Sequence, residues 1–229
     1  MRINHLNPDP QMDHICMGSL ISRKHILTSE HCISTESPEG IQIIVGSTNL
    51  YEGNAYFIYW WISYDQWATV REIQLEFLEN DVAIIRLLNI VPATINLARI
   101  SAGHNTDFYN IVVQTVGWGS ENDSVANNRL QAVSLRVITK ENCESRIGRL
   151  LNQEIYIEEQ QTVCTIANPY ALLSWGDSGG PLLNANSIIA INRGICPEVA
   201  LGDPNVVNYH IGIAYYRPFI LELLYFSCT

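Results

Sequence analysis

Short runs of β-branched and aromatic residues recur along the whole chain: Ile41 to Val45, Tyr56 to Ile62, Val82 to Leu88, Ile111 to Val116, Leu130 to Val137, Ile188 to Ile191 and Ile211 to Tyr215. Runs this short suit strands, and turn-forming clusters divide them, among them Gly46-Ser47-Thr48-Asn49, Glu52-Gly53-Asn54 and Gly119 to Ser124. The pattern confines the chain to an all-β architecture. Only two stretches read as helix. Pro218 to Phe226 sets Phe219, Ile220, Leu223 and Leu224 at helical spacing, with Pro218 suited to a first turn. Thr139-Lys140-Glu141-Asn142, ahead of Cys143, offers a shorter helix start. There is no internal repeat and no low-complexity linker, and 229 residues suffice for a sizeable core in one domain or two small ones.

Charge narrows the function classes. The net charge is −10, and no Lys/Arg block exists to track a phosphate backbone, so nucleic acid is not the expected partner. The most apolar stretch, Ala55 to Ile62, is far too short to cross a bilayer as a helix, so no membrane span is expected. Six cysteines without a C-x-x-C pair favour disulfides over zinc ribbons or thiol redox, hence an oxidising, secreted context. The segment Met1 to Pro10 is polar and has no apolar core of a signal peptide, so the chain as written does not read as a secretory precursor.

The segment that carries chemistry is Gly176-Asp177-Ser178-Gly179-Gly180-Pro181, where glycines allow a tight turn around a serine. A nucleophilic serine needs a base for its proton and a group that orients the base. His31, next to Cys32, supplies a base, and Asp81, opening the apolar run Val82 to Leu87, supplies a carboxylate at the edge of a core. Each residue alone could be structural; the three together point to covalent catalysis.

Gly18-Ser19-Leu20-Ile21, Ser29-Glu30-His31-Cys32, Asn80-Asp81-Val82-Ala83, Gly117-Trp118-Gly119 and Gly176 to Pro181, in that order, resemble the successive signatures of the chymotrypsin-like serine proteases. Spacings around Gly46 to Leu50 and Asn128 to Gln131 are most similar to insect members. The resemblance implies two antiparallel six-stranded β-barrels and a C-terminal α-helix, as one peptidase domain over residues 1–229. Its N-terminal barrel, residues 1–108, would carry His31 and Asp81, and its C-terminal barrel, residues 109–229, Ser178 and the helix.

It also implies roles. Ser178 is the nucleophile, His31 the general base and acid, Asp81 the orienting carboxylate, and the N–H groups of Gly176 and Ser178 the oxyanion hole. No metal or cofactor is called for. Leu172, six residues before the nucleophile, stands at the base of the primary pocket, with Trp175, Asn192 and Gly194 around it. Without a carboxylate at 172 a substrate Lys or Arg would be buried unpaired, so either an apolar or aromatic P1 residue is expected or Leu172 fills the pocket and blocks it. Disulfides Cys16 to Cys32 and Cys143 to Cys164 follow from the same likeness, leaving Cys196 and Cys228 unpaired. Asp177 is the family's activation switch. Since no Ile-Val-Gly-Gly-like start is present to pair with it, a contact from His14 to Asp177 and a latent site are expected.

Several residues depart from the family pattern. Glu30 replaces a small residue before His31, Met17 a glycine beside Cys16, Asn192 a serine, and Ser174 a cysteine. Two functions therefore stand side by side: a secreted, monomeric serine endopeptidase with protein substrates and protein inhibitors as partners, or a non-catalytic homologue that binds or regulates. Asn122-Asp123-Ser124 matches the N-glycosylation pattern. His5, His25, His104 and His210 have no ligand-like spacing and read as surface or hydrogen-bonded structural residues.

Overall fold

The computed structural model describes residues 1–4, 7–120 and 125–226. In the first half, β1 (Arg2–Ile3), β4 (Ile41–Val45) and β5 (Asn54–Tyr56) form one sheet, and β2 (Ser19–Leu20), β3 (His25–Thr28), β7 (Ala83–Leu87) and β6 (Ile58–Ser63) form a second. The expected single strand from Tyr56 to Ile62 divides at Phe57. Residues before it pair with β4 and those after it with β7, so the chain turns a corner between the two sheets there.

The second half closes on itself. The strands β9 (Val112–Gly117), β10 (Gln131–Ile138), β11 (Thr162–Ile166), β14 (Val207–Gly212), β13 (Ser187–Cys196) and β12 (Pro181–Asn184) are neighbours in that order, and β12 pairs back to β9. This six-stranded barrel leaves no free edge among its own strands. Outside it β8 (Arg99–Ile100) lies parallel to β13. The strand expected at Ile211 to Tyr215 begins four residues earlier, at Val207. Beyond Gly212, Ile213 and Tyr216 turn into the core between the two halves.

Helix α2 (Lys140–Leu151) starts where Thr139 caps it and stops at Asn152, which adopts the left-handed conformation at φ 52°. Helix α3 (Arg217–Phe226) is the expected C-terminal one. A third, α1 (Tyr64–Val70), was not anticipated, yet its signal is local: Ser63 and Gln66 form a reciprocal capping box. No helix among the described residues is long and apolar enough to cross a membrane.

What fixes the halves against each other is an apolar core shared by both. Leu27, Tyr64, Trp67, Val82 and Ile84 from the first pack with Ile188, Ile191, Ile211, Tyr216, Phe219 and Ile220 from the second. Tyr64 meets Phe219 edge to face with ring centroids 5.7 Å apart. The C-terminal helix thus clamps the first half, and the seam it seals ends in a cleft. Both expected disulfides form, Cys16–Cys32 and Cys143–Cys164. Cys196 is the one free cysteine among the described residues. Cys228, His5 and the Asn122 triplet lie outside them.

Candidate active site

The His31 segment is built by its neighbours. Strand β3 delivers Thr28, whose hydroxyl donates to Met17 O at 2.7 Å, and Ser29 donates across the seam to Asn192 O at 3.2 Å. One 3-10 turn, Glu30–Cys32, follows, and the disulfide at Cys32 anchors its end. Against it comes Asp81, whose Oδ1 accepts the His31 backbone N–H at 2.9 Å and whose Oδ2 lies 2.8 Å from His31 Nδ1. Asp81 is buried and the His31 ring is half exposed. Because the carboxylate can only accept, Nδ1 carries the proton and Nε2 keeps a free lone pair toward the cleft.

Asp81 is itself positioned by Asn80, a buried residue whose role the sequence motif did not reveal. Asn80 Nδ2 donates to Asp65 Oδ1 at 2.7 Å, while its Oδ1 accepts from Gln161 at 3.0 Å and from Tyr216 Oη at 3.1 Å. Those partners come from α1, the residue before β11 and the approach to α3, so the unanticipated helix bears directly on the site. Burial, together with the Asp81 and Asp65 charges, raises the Glu30 carboxyl above its usual range.

The Ser178 turn needs its glycines. Gly179 has φ +76°, and a Cβ there would lie 2.3 Å from Thr28 Oγ1 and 2.5 Å from Met17 O. The turn is therefore pressed against the segment that carries His31. Ser178 O accepts from Met17 N at 2.7 Å, but Ser178 Oγ donates to Arg193 O at 3.3 Å, and no Ser178–His31 hydrogen bond is formed. The N–H groups of Gly176 and Ser178 meet no acceptor among the described residues.

The expected contact from His14 to Asp177 is not made. Asp177 Oδ1 accepts from Gly119 N at 2.8 Å and Oδ2 from Ser174 N at 3.0 Å. His14 Nε2 bonds Gly176 O at 2.9 Å instead, one residue short. The reason lies in Gly117-Trp118-Gly119: a Cβ at 117 or 119 would fall 1.9 or 2.3 Å from the Asp177 carboxylate, so both positions form its cradle. Burial raises the Asp177 carboxyl, and those two N–H bonds oppose the rise. Burial drives His14 down to about 3, so it is neutral and donates from Nε2.

The expected pocket residues do not converge. Leu172 is half buried and Trp175 exposed, and neither borders the cleft of about 1070 Å³ that His31, Asp81, Arg193 and Gly194 line. Asn208, missed from sequence, clips the Leu172 segment, with Nδ2 donating to Ala171 O at 3.1 Å and Oδ1 accepting from Leu173 N at 2.6 Å. Asn192 is a correction. Its side chain is fully buried beneath the nucleophile turn rather than in a pocket, bonded to Asp177 O, Thr115 and His210. A short polar amide at 192 finds its partners inside the barrel, where Thr115 and His210 stand.

The cleft holds one feature the sequence did not announce. The ladder of β13 slips between Asn192 and Gly194, and Arg193 bulges out. Its Nη2 pairs with Glu79 at 2.6 Å and its Nε lies 3.8 Å from Asp81 Oδ2.

Comparison with known proteins agrees with this arrangement. The family model described as Trypsin matches residues 4–220. Trypsin iota of Drosophila melanogaster is 25% identical over 214 residues, 91% of this chain and 78% of that protein. Brachyurin of Leptuca pugilator is 30% identical over 174 residues, 74% of this chain and 70% of that protein. Among solved structures, the scabies mite inactivated protease paralogue S-D1 is similar with TM-score 0.75 and 16% identity, over 91% of this chain and 86% of that one. Neuropsin from mouse brain is similar with TM-score 0.70 and 19% identity, over 92% and 89%. At such identities the two structures speak for the fold alone. A family match over nearly the whole length, joined to a closed six-stranded barrel and a seam holding His31 against Asp81, places this chain in the trypsin family.

Proposed function

We propose that this chain is a serine endopeptidase acting through Ser178, His31 and Asp81. The observation that carries the reading is the two-point grip of Asp81 on His31, at 2.9 and 2.8 Å, which places the ring proton on Nδ1 and leaves the Nε2 lone pair to accept another. Ser178 Oγ leaves Arg193 O, attacks the scissile carbonyl carbon and passes its proton to His31 Nε2. The N–H groups of Gly176 and Ser178 hold the oxyanion, a contribution of about 2.7 to 4 kcal/mol per donor in related chemistry. The C–N bond breaks as His31 returns the proton to the leaving amine, and water then releases the acyl group by the same route. None of these steps calls on a metal or cofactor.

The substrate is a protein; the apolar or aromatic P1 preference rests on the sequence position of Leu172, which puts no carboxylate opposite a substrate cation, and not on a pocket formed around it. Two disulfides fit action outside the cell; the reading is of a secreted monomer with protein protease inhibitors as its antagonists.

A second reading, a non-catalytic homologue, draws support from one contact: Ser178 Oγ is engaged by Arg193 O rather than by His31. A serine-directed phosphonate decides between them. Stoichiometric labelling of the folded chain, abolished by Ser178→Ala, is expected for the endopeptidase. A folded chain that takes up no label would leave the binding role.

A further inference from the structure

Arg193 touches both sides of the candidate site with different atoms. Its carbonyl accepts Ser178 Oγ at 3.3 Å, and its guanidinium crosses the seam to Glu79 at 2.6 Å, with Nε 3.8 Å from Asp81. Glu79 belongs to the segment leading into β7, in the other half of the molecule. The bulge produces both contacts. An extra residue in a ladder is freed from pairing and re-aimed, so the Arg193 carbonyl faces the nucleophile and its side chain faces the cleft. The guanidinium also lies over the Tyr209 ring, 5.7 Å from its centroid. Burial opposes the Arg193 cation, but the bond from Glu79 and the Asp81 charge outweigh it, so Arg193 holds its proton firmly.

We infer that Arg193 is a positioning residue: its ion pair with Glu79 is a latch across the cleft that fixes the bulge and so keeps Ser178 turned from His31. This rests on Ser178 being the nucleophile. The latch is weak by construction. Glu79 is mostly exposed and the Arg193 side chain about one-third exposed, so the pair is screened by salt and easily exchanged. Substrate entering the cleft beside Gly194 displaces the guanidinium, the bulge relaxes, and Ser178 Oγ is released toward His31 Nε2. The other titratable groups facing this point are the acidic Glu30, Asp65 and Glu198 and the imidazole of His31, so no other Lys or Arg lines the cleft among the described residues.

The test is the rate of phosphonate labelling at Ser178 in the wild type, Glu79→Gln and Glu79→Lys, each at low and high salt, with Ser178→Ala as control. Glu79→Gln is expected to label about two- to fivefold faster, the range an exposed ion pair supports, and Glu79→Lys faster still. Salt should speed the wild type and leave Glu79→Gln unchanged. A structural lesion would slow labelling, so a gain separates latch from scaffold. Equal or slower rates in both variants, with wild type labelled, would overturn the latch and leave the nucleophile standing. No labelling in any folded form would remove the nucleophile, and the latch with it.

Discussion

His31 meets Asp81 twice, through its backbone N–H at 2.9 Å and through Nδ1 at 2.8 Å, so one carboxylate fixes both the place and the tautomer of the imidazole. Replacing it with an amide keeps the shape and upsets the second contact. Asp81→Asn is expected to lower kcat for peptide hydrolysis about 10⁴-fold, because an amide Nδ2 facing Nδ1 forces the proton onto Nε2. Thermal stability should change far less than activity. An activity loss of under tenfold would mean that His31 does not act as the base.

Gly119 is required by space rather than by backbone conformation. A Cβ there would sit 2.3 Å from Asp177 Oδ2 and 2.5 Å from Ser174 Oγ. Gly119→Ala should therefore cost about 1 to 3 kcal/mol in denaturant unfolding and slow labelling at Ser178, since Asp177 is its chain neighbour. Joined to Asp177→Ala, which removes the obstructing carboxylate, the loss should be clearly less than additive.

The disulfide Cys16–Cys32 closes a loop with a sequence separation of 16 residues and ends one residue from His31. Replacing both cysteines with Ala should destabilise the fold by about 3 kcal/mol in the loop-entropy picture. Activity should fall beyond what the unfolded fraction explains, since the 3-10 turn loses its anchor. Matched losses of both would show the bridge to be a staple only.

The His31–Asp81 contact was legible as a pair because each residue stands in a local motif, Ser178 stands out as the candidate nucleophile for the same reason, and the strand and helix runs were legible from periodicity. What escaped depends on where side chains aim between distant segments. Asp177 and Gly119 are 58 residues apart, and Arg193 and Glu79 are 114 apart. No spacing in the sequence tells that Asp177 turns to two backbone N–H groups and not to His14. Asn192 reads as a pocket residue and Asn208 stands in no motif, yet both are fully buried: Asn192 bonds Thr115 and His210 inside the barrel, and Asn208 bonds the backbone of Ala171 and Leu173. Helix α1 was missed for a different reason: Trp60, Trp61 and Ile62 continue an apolar run into it, and the Ser63 and Gln66 cap was the local cue.

Leu172 tests the P1 reading. With Asn208 holding the backbone on either side of it, the segment has no carboxylate to meet a cation. Leu172→Asp should raise Lys or Arg cleavage relative to Leu by about two orders of magnitude, since an unpaired buried charge costs about 3 kcal/mol. An unchanged ratio would show that Leu172 does not line the pocket.

The acid limit of the fold should trace partly to His210. It is fully buried, with Nε2 2.9 Å from Thr165 Oγ1 and Nδ1 3.0 Å from Asn192 Oδ1, and burial drives it down from 6.5 to about 3. Asn192 Oδ1 is an amide oxygen and can only accept, so His210 Nδ1 carries the proton and Nε2 accepts the Thr165 hydroxyl. Protonating Nε2 would turn the Thr165 hydroxyl from donor to acceptor and place a charge in the barrel core. The unfolded chain binds this proton below about pH 6.5 and the folded chain only near pH 3, so stability is full above 6.5 and is lost as pH falls between them. The slope from this one group approaches about 1.4 kcal/mol per pH unit. His14 and His25, pushed by burial to about 3 and about 4, act in the same direction. His210→Gln removes one titrating group, so its stability measured from pH 7 to pH 4 should fall less steeply than wild type by about that slope. Parallel curves would mean that His210 is protonated in the folded state or opens to water before it titrates.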